Sequence, residues 1–561
     1  MSKTSTKANA RYLAALLKKH ACSQIVISPG SRNAPLITAF GNDKDYSCIS
    51  IPDERTAAFT ALGKCLATNK PVAVVCSSGS ALVNYYPAVT EAFYQKLPLI
   101  ILSADRPHEW IDQGIGQTIR QKGVFEKHIC YSANLIGEPS SSLNENYNQR
   151  EINAAMIASK SGPVHINIPL AEPLYDQVEL QEENIHFIES MEAEKTLSVA
   201  QWEEIQKSWD ASEKPLVLAG QLNSNEDLKR SIEKLHSLSP FLVFTETLSN
   251  LPSSNSISSI DRLINTITEE EKTDLKPDLL ITIGGELVSK MVKRLLRDES
   301  IEHWHISETG DLKDTFLNLK KIIPLKPNCF FEGLANKLNS KSRSYPKKWL
   351  NVDKKKSLIH SKYLKQIPFS DLSVVGEVLN HLPQNSVLHS ANSASIRYTQ
   401  LFDQNPSVEH YSNRGTSGID GCTSTSIGFA SMNDKMLTLI SGDIAFLYDS
   451  NAFWNDELPC NVRIVVVNNS GGNIFRIIKG PQKDENFEKF QETRHDQSAE
   501  FIAKRFSLSY SKVDNKEDLN NVLIGFYNTS DRPKILEVFT PRKESPEILQ
   551  EYFRFLSLNH E

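Results

Sequence analysis

The sequence lacks any close pairing of cysteine or histidine residues. Its eight cysteines are scattered along 561 residues, with no CxxC pair and no closely spaced Cys/His cluster. This scatter argues against a zinc site and against the disulfide framework of a small secreted domain. Several cysteines stand inside apolar runs, as Cys76 does at the end of 73–76, so we expect buried, reduced thiols.

The chain also lacks a long apolar run and an excess of one charge. No uninterrupted apolar segment has spanning length, and residues 1–11 are polar, without the apolar core of a signal peptide. Lysine and arginine number 62 against 68 for aspartate and glutamate, a formal net charge of -6, so no general field favours nucleic acid or an acidic membrane surface. These absences predict a cytoplasmic protein with no membrane insertion and no nucleic-acid partner.

What the chain does contain is apolar material for several cores. Hydrophobic residues make up 40% of the sequence and charged residues 23%, which is typical of globular proteins, and 561 residues exceed what one core usually organises. Short β-branched runs alternate with segments of helical periodicity, which indicates parallel sheets covered on both faces. The runs that predict strands are 24–28, 48–51, 72–76, 99–102 and 164–170, then 215–220, 241–245, 279–284 and 303–307, and finally 387–390, 436–441, 462–468 and 534–539.

Two polar segments divide these strands into three groups. A Glu-rich stretch over 180–195 and a basic stretch over 337–356 interrupt the alternation and predict exposed connections. The predicted fold class is α/β, with three doubly wound parallel-sheet domains at 1–180, 196–336 and 357–561. Ligands of such sheets bind at the carboxyl ends of the strands, so we expect functional residues in the loops that follow strands.

Oxygen-bearing residues follow two predicted strands of the third group. Gly442 and Asp443 come directly after one strand. Asn469 and Gly471 follow the next, and Asn469 lies 26 residues beyond Asp443. A carboxylate with neutral carbonyl oxygens is a donor set that Mg²⁺ accepts when phosphate oxygens help to complete its octahedron. A Gly-Asp pair after a strand is most often a turn, but this spacing predicts a metal at Asp443, Asn469 and Gly471.

A carboxylate of the first group stands where a strand passes into a helix. Glu54 follows the predicted strand at 48–51 and precedes apolar positions at helical spacing. Taken alone, Glu54 has a common explanation as a solvated residue that complements a helix amino terminus, an effect worth at most about 1 kcal/mol.

The spacing of Gly442-Asp443 and Asn468-Asn469 resembles the metal-diphosphate motif of thiamine-diphosphate enzymes, although Ile444 stands where many members have glycine. The resemblance implies thiamine diphosphate with Mg²⁺ (or Mn²⁺) as cofactors, and Glu54 as the catalytic carboxylate against the aminopyrimidine ring. The cofactor supplies the chemistry of such enzymes, and the protein supplies position, desolvation and charge. Their sites lie between two subunits, which implies a homodimer or a dimer of dimers.

Five further segments, at 27–36, 78–81, 103–107, 116–121 and 411–421, carry a more specific pattern. They resemble the 2-succinyl-5-enolpyruvyl-6-hydroxy-3-cyclohexene-1-carboxylate synthase family of menaquinone biosynthesis, with a looser match in the middle group. The resemblance implies a transferase that decarboxylates 2-oxoglutarate and adds the succinyl-semialdehyde carbanion to isochorismate in a Stetter-like 1,4-addition. Both substrates are dicarboxylates, which suits a site rich in arginine.

The resemblance also implies roles for residues at matching positions. Those implied to contact the cofactor are Glu54, Ser78, Gly79, Ser80, Asn392, Ile419, Gly442, Asp443 and Ile474. Those implied to contact the substrates are Ser31, Arg32, Arg106, Gln117, Lys290, Ser393, Arg397, Arg414 and Phe475. An arginine is usually a surface ion-pair residue, but four in loops after strands favour carboxylate binding.

Two positions leave room for other interpretations. Met291 stands where some relatives have an arginine, so Lys293 or Arg294 is the expected substitute. The apolar pair at Ile474 and Phe475 is equally consistent with an ordinary core.

Two other functions stay open on the sequence. One is another thiamine-diphosphate carboligase or decarboxylase acting on smaller 2-oxo acids, which would not need four arginines. No histidine pair follows Glu54 or Ser78, and the lack of such acid groups favours carboligation over simple decarboxylation. The other is a catalytically inactive scaffold of the same fold, against which the intact Glu54, Asp443 and Asn469 count.

Overall fold

Three six-stranded sheets, each entirely parallel, organise the chain in this computed structural model. The structure describes residues 3–455, 457–478 and 480–558. Positions 1 and 561, the outer bounds of the first and third predicted domains, lie outside those ranges. The predicted α/β fold class with doubly wound parallel sheets is confirmed. No helix in the described ranges combines the length and the apolar character needed to cross a bilayer.

The first unit contains one of these sheets and a two-stranded ribbon. Its strands are β1 (Lys3–Ser5), β2 (Gln24–Ile27), β3 (Ser47–Ser50), β4 (Val72–Cys76), β5 (Leu99–Asp105), β6 (Tyr131–Asn134), β7 (Val164–Pro169) and β8 (Gln177–Glu179). Its helices are α1 (Ala8–Lys19), α2 (Ala34–Gly41), α3 (Glu54–Thr68), α4 (Ser80–Asn84), α5 (Tyr86–Gln95) and α6 (Ser142–Ala158). The sheet order is β3-β2-β4-β5-β7-β6, and β1 pairs antiparallel with β8.

The middle unit repeats the plan with a second sheet. Its strands are β9 (Pro215–Ala219), β10 (Leu242–Thr245), β11 (Ser256–Ile257), β12 (Leu279–Ile283), β13 (Glu302–Ile306) and β14 (Leu319–Ile323). Its helices are α7 (Val199–Ala211), α8 (Glu226–Leu238), α9 (Ile260–Ile264), α10 (Glu269–Leu275), α11 (Lys290–Leu295) and α12 (Pro327–Ala335). The sheet order is β11-β10-β9-β12-β13-β14.

The third unit follows a long helix, α13 (Tyr345–Leu364). Its helices are α14 (Asp371–Asn380), α15 (Ala394–Thr399), α16 (Cys422–Ala430), α17 (Asp443–Tyr448), α18 (Ile474–Ile477), α19 (Phe487–Phe490), α20 (Glu500–Arg505), α21 (Lys516–Phe526) and α22 (Glu544–Leu558). Its strands are β15 (Val387–Ser390), β16 (Glu409–Tyr411), β17 (Leu437–Gly442), β18 (Val462–Asn468), β19 (Ser509–Val513) and β20 (Lys534–Phe539), in the order β16-β15-β17-β18-β20-β19. Short 3-10 turns lie at His108–Trp110, Glu126–His128, Ser159–Ser161, Thr247–Ser249, Ser450–Phe453 and Pro481–Lys483.

Every strand predicted from an apolar run is present, and the strands that the sequence did not predict lie mostly at sheet edges. β6, β11, β14, β16 and β19 each stand at the edge of a sheet. An edge strand is covered on fewer sides, so it needs fewer apolar residues and leaves a weaker pattern. Central strands show the contrast, since every residue of β4 and of β18 is buried.

The first and third sheets share one hydrophobic core. Helices α3 and α16 pack against each other, and buried residues of both units, such as Val74 and Leu439, belong to one cluster. This packing fixes the loops of the first unit relative to those of the third, which positions the residues discussed below.

The two predicted connections differ in structure. Residues 180–195, all of which the structure describes, contain no helix or strand. The basic stretch at 337–356 instead includes the first part of α13, whose Tyr345 and Trp349 are buried. The many lysines of this stretch make it look polar, but α13 has an apolar face that packs against β10, α9 and α22. The domain bounds at 1–180, 196–336 and 357–561 stay a prediction, and the last of them begins inside this helix.

Candidate active site

Two arginines of the first unit point at one carboxylate. Arg32, which follows β2, is buried and donates from Nη1 to the Leu170 carbonyl oxygen (2.9 Å) and from Nη2 to Glu172 Oε1 (3.2 Å). Arg106, which follows β5, places Nη1 3.9 Å from the same Glu172 oxygen. The buried Nε atoms of both arginines have no hydrogen-bond partner among the described residues. The two guanidinium groups therefore lie close enough together to bind one carboxylate, and their Nε–H groups remain free to donate.

The loop after β4 brings Gly79 against the backbone of Gln117. Gly79 has φ +83°, and a Cβ atom there would lie 3.1 Å from Gln117 backbone atoms, so only glycine fits. Ser78 is buried and its Oγ has no partner in the described part of the chain. Ser80, the first residue of α4, is exposed, as are Gln117 and Ser31. This loop presents the free hydroxyl of Ser78, a feature that suits a bound cofactor.

A buried polar network connects that loop to Arg106. Gly79 N donates to Gln121 Oε1 (2.9 Å), and Gln121 Nε2 donates to Asn167 Oδ1 (2.9 Å). Asn167 Nδ2 donates to Asp105 Oδ2 (2.8 Å), whose other oxygen accepts from Arg106 N (2.8 Å). Burial raises the pKa of Asp105, while its bonds to Asn167 and Arg106 N oppose the rise. Sequence reasoning missed Asn167, although a polar residue inside an apolar strand is a usable signal.

Glu54 is the first residue of α3, after the N-cap Asp53, whose Oδ1 accepts from Thr56 N (3.1 Å). Its half-buried carboxylate lies near the end of β4. Burial raises the pKa of the Cys76 thiol and of Tyr85, and the negative charge of Glu54 adds to both rises. Glu54 thus lies close enough to the end of β4 for its charge to act on both groups.

The neighbours of Glu54 contact the third unit. Asn451 Nδ2 donates to Asp53 Oδ2 (2.8 Å), and Arg55 Nη2 donates to the Tyr448 carbonyl oxygen (2.7 Å). Tyr448 ends the helix that Asp443 begins.

The oxygen-bearing residues of the third unit meet where β17 and β18 end. Asp443 follows Gly442 and is buried, and its Oδ2 accepts from Gly471 N (3.0 Å). A Cβ atom on Gly471 would lie 2.9 Å from the Glu492 carbonyl oxygen, so glycine is needed there. Asn469 Oδ1 is buried without a partner among the described residues. The Asp443 carboxylate, the Asn469 amide oxygen and the backbone of Gly471 are together a set of oxygen donors that suits a hard cation.

His495 is a further group at this position that the sequence did not suggest. Its Nε2 lies 3.4 Å from Asp443 Oδ2, and this contact raises the pKa of the imidazole. The side chain comes from a loop that no local motif marks.

Asn392 and Arg414 form a second arginine site in the third unit. Arg414 Nη1 donates to Asn392 Oδ1 (2.9 Å), and Asn392 Nδ2 donates to the carbonyl oxygens of Asn413 (2.6 Å) and Gly418 (2.6 Å). These bonds hold the loop that carries Ile419, whose half-buried side chain packs on the shared core. Burial lowers the pKa of Arg414, and the positive charge of Arg397 lowers it further.

Arg397 also meets the middle unit. Arg397 and Lys290, which begins α11, line a cavity of about 180 Å³, together with Met291. Ser393 precedes α15 with φ +72°. Of the two expected substitutes for Met291, Lys293 is the one near Arg414. Burial lowers the pKa of Lys293 and Arg414 adds to the effect, whereas Arg294 lines a different cavity.

Ile474 and Phe475 lie on the short helix α18 beyond Gly471. Both are half-buried and stand outside the fully buried core. Their placement beside the Gly471 loop leaves apolar surface free to contact a ligand.

Comparisons with known proteins identify the family. The model "Thiamine pyrophosphate enzyme, N-terminal TPP binding domain" matches residues 8–124, and "Middle domain of thiamine pyrophosphate" matches 178–389. The 2-succinyl-5-enolpyruvyl-6-hydroxy-3-cyclohexene-1-carboxylate synthase of Christiangramia forsetii is 43% identical, over 98% of this chain and 98% of that protein. The chain belongs to this synthase family. A second such synthase, of Flavobacterium johnsoniae, is 44% identical over 95% of this chain and 96% of that protein.

A solved structure shares the architecture of this chain. Benzoylformate decarboxylase from Polynucleobacter necessarius has a TM-score of 0.71 and 15% identity, with 96% of this chain and 99% of that chain covered. At that identity the likeness shows the fold alone. Family membership confirms the predicted resemblance, and with it the prediction of an enzyme that depends on thiamine diphosphate.

The residues of the candidate site stand in separate groups within one chain. Among the described residues, no hydrogen bond or ion pair joins Glu54 to Asp443, Asn469 or Gly471, and none joins Arg32 or Arg106 to Arg397 or Arg414. Each group follows the strands of its own unit and, within the described ranges, has no direct contact with the other group.

Contacts between the first and third units reveal a position that the sequence did not predict. Glu91 of α5 is buried, and its carboxylate accepts from Gly415 N (2.7 Å), Thr416 N (2.6 Å) and Thr416 Oγ1 (2.7 Å). It thereby fixes the loop that holds Arg414. A glutamate on a buried helix face is the signal that would have found it.

Proposed function

We propose that this chain decarboxylates 2-oxoglutarate on thiamine diphosphate and adds the succinyl semialdehyde unit to isochorismate in a Stetter-like 1,4-addition. The products are 2-succinyl-5-enolpyruvyl-6-hydroxy-3-cyclohexene-1-carboxylate and CO₂, in menaquinone biosynthesis. The relatives that carry this synthase name align with the chain over nearly its full length. The convergence of Arg32 and Arg106 on one carboxylate is the structural observation that carries the proposal, because both substrates are dicarboxylates.

The cofactor site we propose draws on both outer units. Ser78, Gly79 and Ser80 would contact the cofactor from the first unit, and Asn392, Ile419, Gly442 and Ile474 from the third. A divalent cation, Mg²⁺ or Mn²⁺, would be held by Asp443, Asn469 and Gly471 against the diphosphate. The unsatisfied oxygens of Ser78 and Asn469 support this assignment. When bound, thiamine diphosphate supplies the electron sink that decarboxylation of a 2-oxo acid requires.

Glu54 is the proposed catalytic residue. Its carboxylate would hold the proton at N1′ of the aminopyrimidine, and its position at the start of α3 keeps it half-buried but accessible. Partial burial strengthens such a bond because less water competes for the carboxylate.

The substrate carboxylates would be divided between two basic groups. Arg32 and Arg106, with Ser31 and Gln117 beside them, form one group in the first unit. Arg397, Arg414 and Lys290 form the other, with Ser393 and Phe475. Lys293 is proposed in place of the arginine that some relatives have at 291, because it lies near Arg414. Besides burial, the positive charge of Arg397 lowers the pKa of Arg414, and that of Arg414 lowers the pKa of Lys293. Cations that repel one another in this way attract an anion, which relieves the repulsion.

The proposed assembly is a homodimer or a dimer of dimers in the cytoplasm. Glu54 and Asp443 would lie at the two ends of one bound cofactor. The membership in a thiamine-diphosphate family supports this assembly, because the sites of such enzymes lie between two subunits. All eight cysteines are free thiols, which suits a reducing compartment.

The test is an assay of the purified protein with thiamine diphosphate, Mg²⁺, 2-oxoglutarate and isochorismate. We expect CO₂ release from 2-oxoglutarate and a product whose mass equals isochorismate plus the succinyl semialdehyde unit. Pyruvate in place of 2-oxoglutarate is the control. A clear preference for pyruvate would replace the proposal with a carboligase or decarboxylase of smaller 2-oxo acids, and no turnover of either would point to an inactive scaffold.

A further inference from the structure

Asp371 is a buried carboxylate that binds two asparagine side chains with one oxygen. It is the first residue of α14 and only 1% exposed. Its Oδ2 accepts from Asn469 Nδ2 (3.0 Å) and from Asn473 Nδ2 (3.1 Å), and its Oδ1 accepts from Thr540 Oγ1 (2.6 Å). Asp371 thus connects the loop after β18 to the end of β20, although its partners Asn469 and Thr540 lie 98 and 169 residues further along the chain.

These bonds determine which way the two amides face. An ionised carboxylate can only accept hydrogen bonds, so each asparagine must turn its NH₂ group toward Asp371. The amide oxygens then point away, and both Asn469 Oδ1 and Asn473 Oδ1 are buried with no partner in the described part of the chain. A buried acceptor without a partner is costly, so the arrangement indicates a ligand that supplies positive charge at this place.

Capping of α14 does not account for Asp371. Ser370 already caps the helix, since its Oγ accepts from Ser373 N (3.4 Å) and Ser373 Oγ accepts from Ser370 N (2.8 Å). Burying a carboxylate beside a helix start that is already capped is unfavourable unless the carboxylate makes bonds that serve a purpose.

We propose that Asp371 is a positioning residue that orients the Asn469 amide so that its oxygen faces the cation beside Asp443 and Gly471. The inference rests on the proposed metal site and deepens it. Asp371 acts through Asn469 and does not itself contact the cation. Without it, the amide is free to rotate and present its NH₂ group, which repels a cation. Residues that orient metal ligands in this way typically contribute about 10- to 100-fold to metal affinity.

The test measures the Mg²⁺ concentration that half-saturates thiamine diphosphate binding to the full chain, followed by the change in protein fluorescence or circular dichroism. For Asp371→Ala we expect that concentration to rise about tenfold or more. For Asp371→Asn we expect less than about a threefold change, because the amide oxygen accepts the same two bonds and its NH₂ group donates to Thr540 Oγ1. The melting temperature of each variant without Mg²⁺ and cofactor is recorded alongside.

A matched control is Asp353→Ala. Asp353 is also largely buried and accepts from Ser259 Oγ (3.3 Å) and Arg262 Nη2 (3.4 Å), away from the ends of β17 and β18. This variant should lower the melting temperature without changing the Mg²⁺ requirement.

A purely structural role makes a different prediction. Asp371→Ala would then lower the melting temperature and leave the half-saturating Mg²⁺ concentration unchanged, which overturns the inference. If Asp371→Ala does not fold, Thr540→Val decides, because it removes one bond that holds the carboxylate. For Thr540→Val, a rise of about threefold in the half-saturating Mg²⁺ concentration supports the inference, and an unchanged concentration overturns it. If thiamine diphosphate binds to the wild-type chain equally well with and without Mg²⁺, the proposed metal site is overturned, and this inference with it.

Discussion

The guanidinium group of Arg32 is paired with the carboxylate of Glu172, which lies beyond the end of β7. Arg32 is buried, whereas the Glu172 side chain is 74% exposed. An exposed partner of a buried arginine is held weakly, so a ligand carboxylate can displace it.

Replacing Glu172 should therefore ease substrate binding. For Glu172→Gln we expect the KM of at least one dicarboxylate substrate to fall by up to about fivefold, because an exposed ion pair contributes less than about 1 kcal/mol. Steady-state kinetics with each substrate varied in turn measures this. Glu183→Gln is the matched control, since Glu183 pairs with Arg11 (2.6 Å) instead. An increase of both KM values would show that Glu172 supports the pocket rather than competing for it.

Glu54→Gln should separate cofactor binding from turnover. The glutamine keeps the size of the side chain but lacks the charge that favours a proton at N1′, so we expect kcat to fall by at least about a hundredfold. Cofactor binding, followed by fluorescence titration, should change by less than about tenfold, the effect of one weakened hydrogen bond. Nearly wild-type turnover would remove Glu54 from the catalytic role.

Mixing two inactive variants tests whether sites form between subunits. Chains with Glu54→Gln retain Asp443, and chains with Asp443→Asn retain Glu54. After subunit exchange, random pairing should restore about a quarter of wild-type activity, because mixed dimers contain one intact site each. Separately incubated variants are the control. If activity stays absent after exchange is verified by mass spectrometry, the two carboxylates serve a site within one chain.

Glu91→Gln should loosen the loop that carries Arg414. A glutamine presents only one acceptor atom to the donors of Gly415 and Thr416, so we expect the free energy of unfolding to fall by about 2 to 3 kcal/mol. Denaturant titration measures that change, and kinetics should show a higher KM for one substrate. Thr416→Val is the control, because it removes the hydroxyl bond alone and should cost about 1 kcal/mol. Equal effects of the two variants would contradict the role given to the Glu91 charge.

His410 should make the protein less stable in mild acid. Burial lowers its pKa to about 4, below the 6.5 of an exposed histidine, so the unfolded chain binds a proton that the folded chain rejects. Stability is then fully present above pH 6.5 and decreases as the pH falls toward 4, with a slope of up to about 1.4 kcal/mol per pH unit for this residue.

The variant His410→Leu isolates that effect. Denaturant titrations between pH 5 and pH 7, a range set by the two pKa values, should show a shallower pH dependence than wild type. His108→Leu is the control, because the His108 side chain is 86% exposed. An unchanged slope for His410→Leu would mean that its pKa is not lowered in the folded state.

The central strands were predictable because burial leaves a strong pattern. β18 is buried along its whole length, and five of its seven residues are apolar. Adjacent parallel strands end at the same sheet edge, and β17 pairs with β18, so residues after the two strands meet. The sequence therefore predicts that Gly471 lies near Asp443, and Gly471 N donates to Asp443 Oδ2 (3.0 Å).

Contacts between distant elements left no such pattern. Asp371 opens a helix and resembles an ordinary first-turn acid, yet it binds Asn469, 98 residues away. Glu91 reaches Gly415 across 324 residues. Neither partner can be inferred from local periodicity, because the distance along the chain does not specify which surfaces pack together.

The sequence by itself determined the strand and helix alternation, the loops that bear functional residues, and the family, because burial periodicity and residue spacing are local properties. Only the tertiary structure decided which carboxylate faces which donor. Arg32 with Glu172, and Asp371 with Asn469, are pairs selected by packing, since a buried charge must find its partner wherever the fold places one.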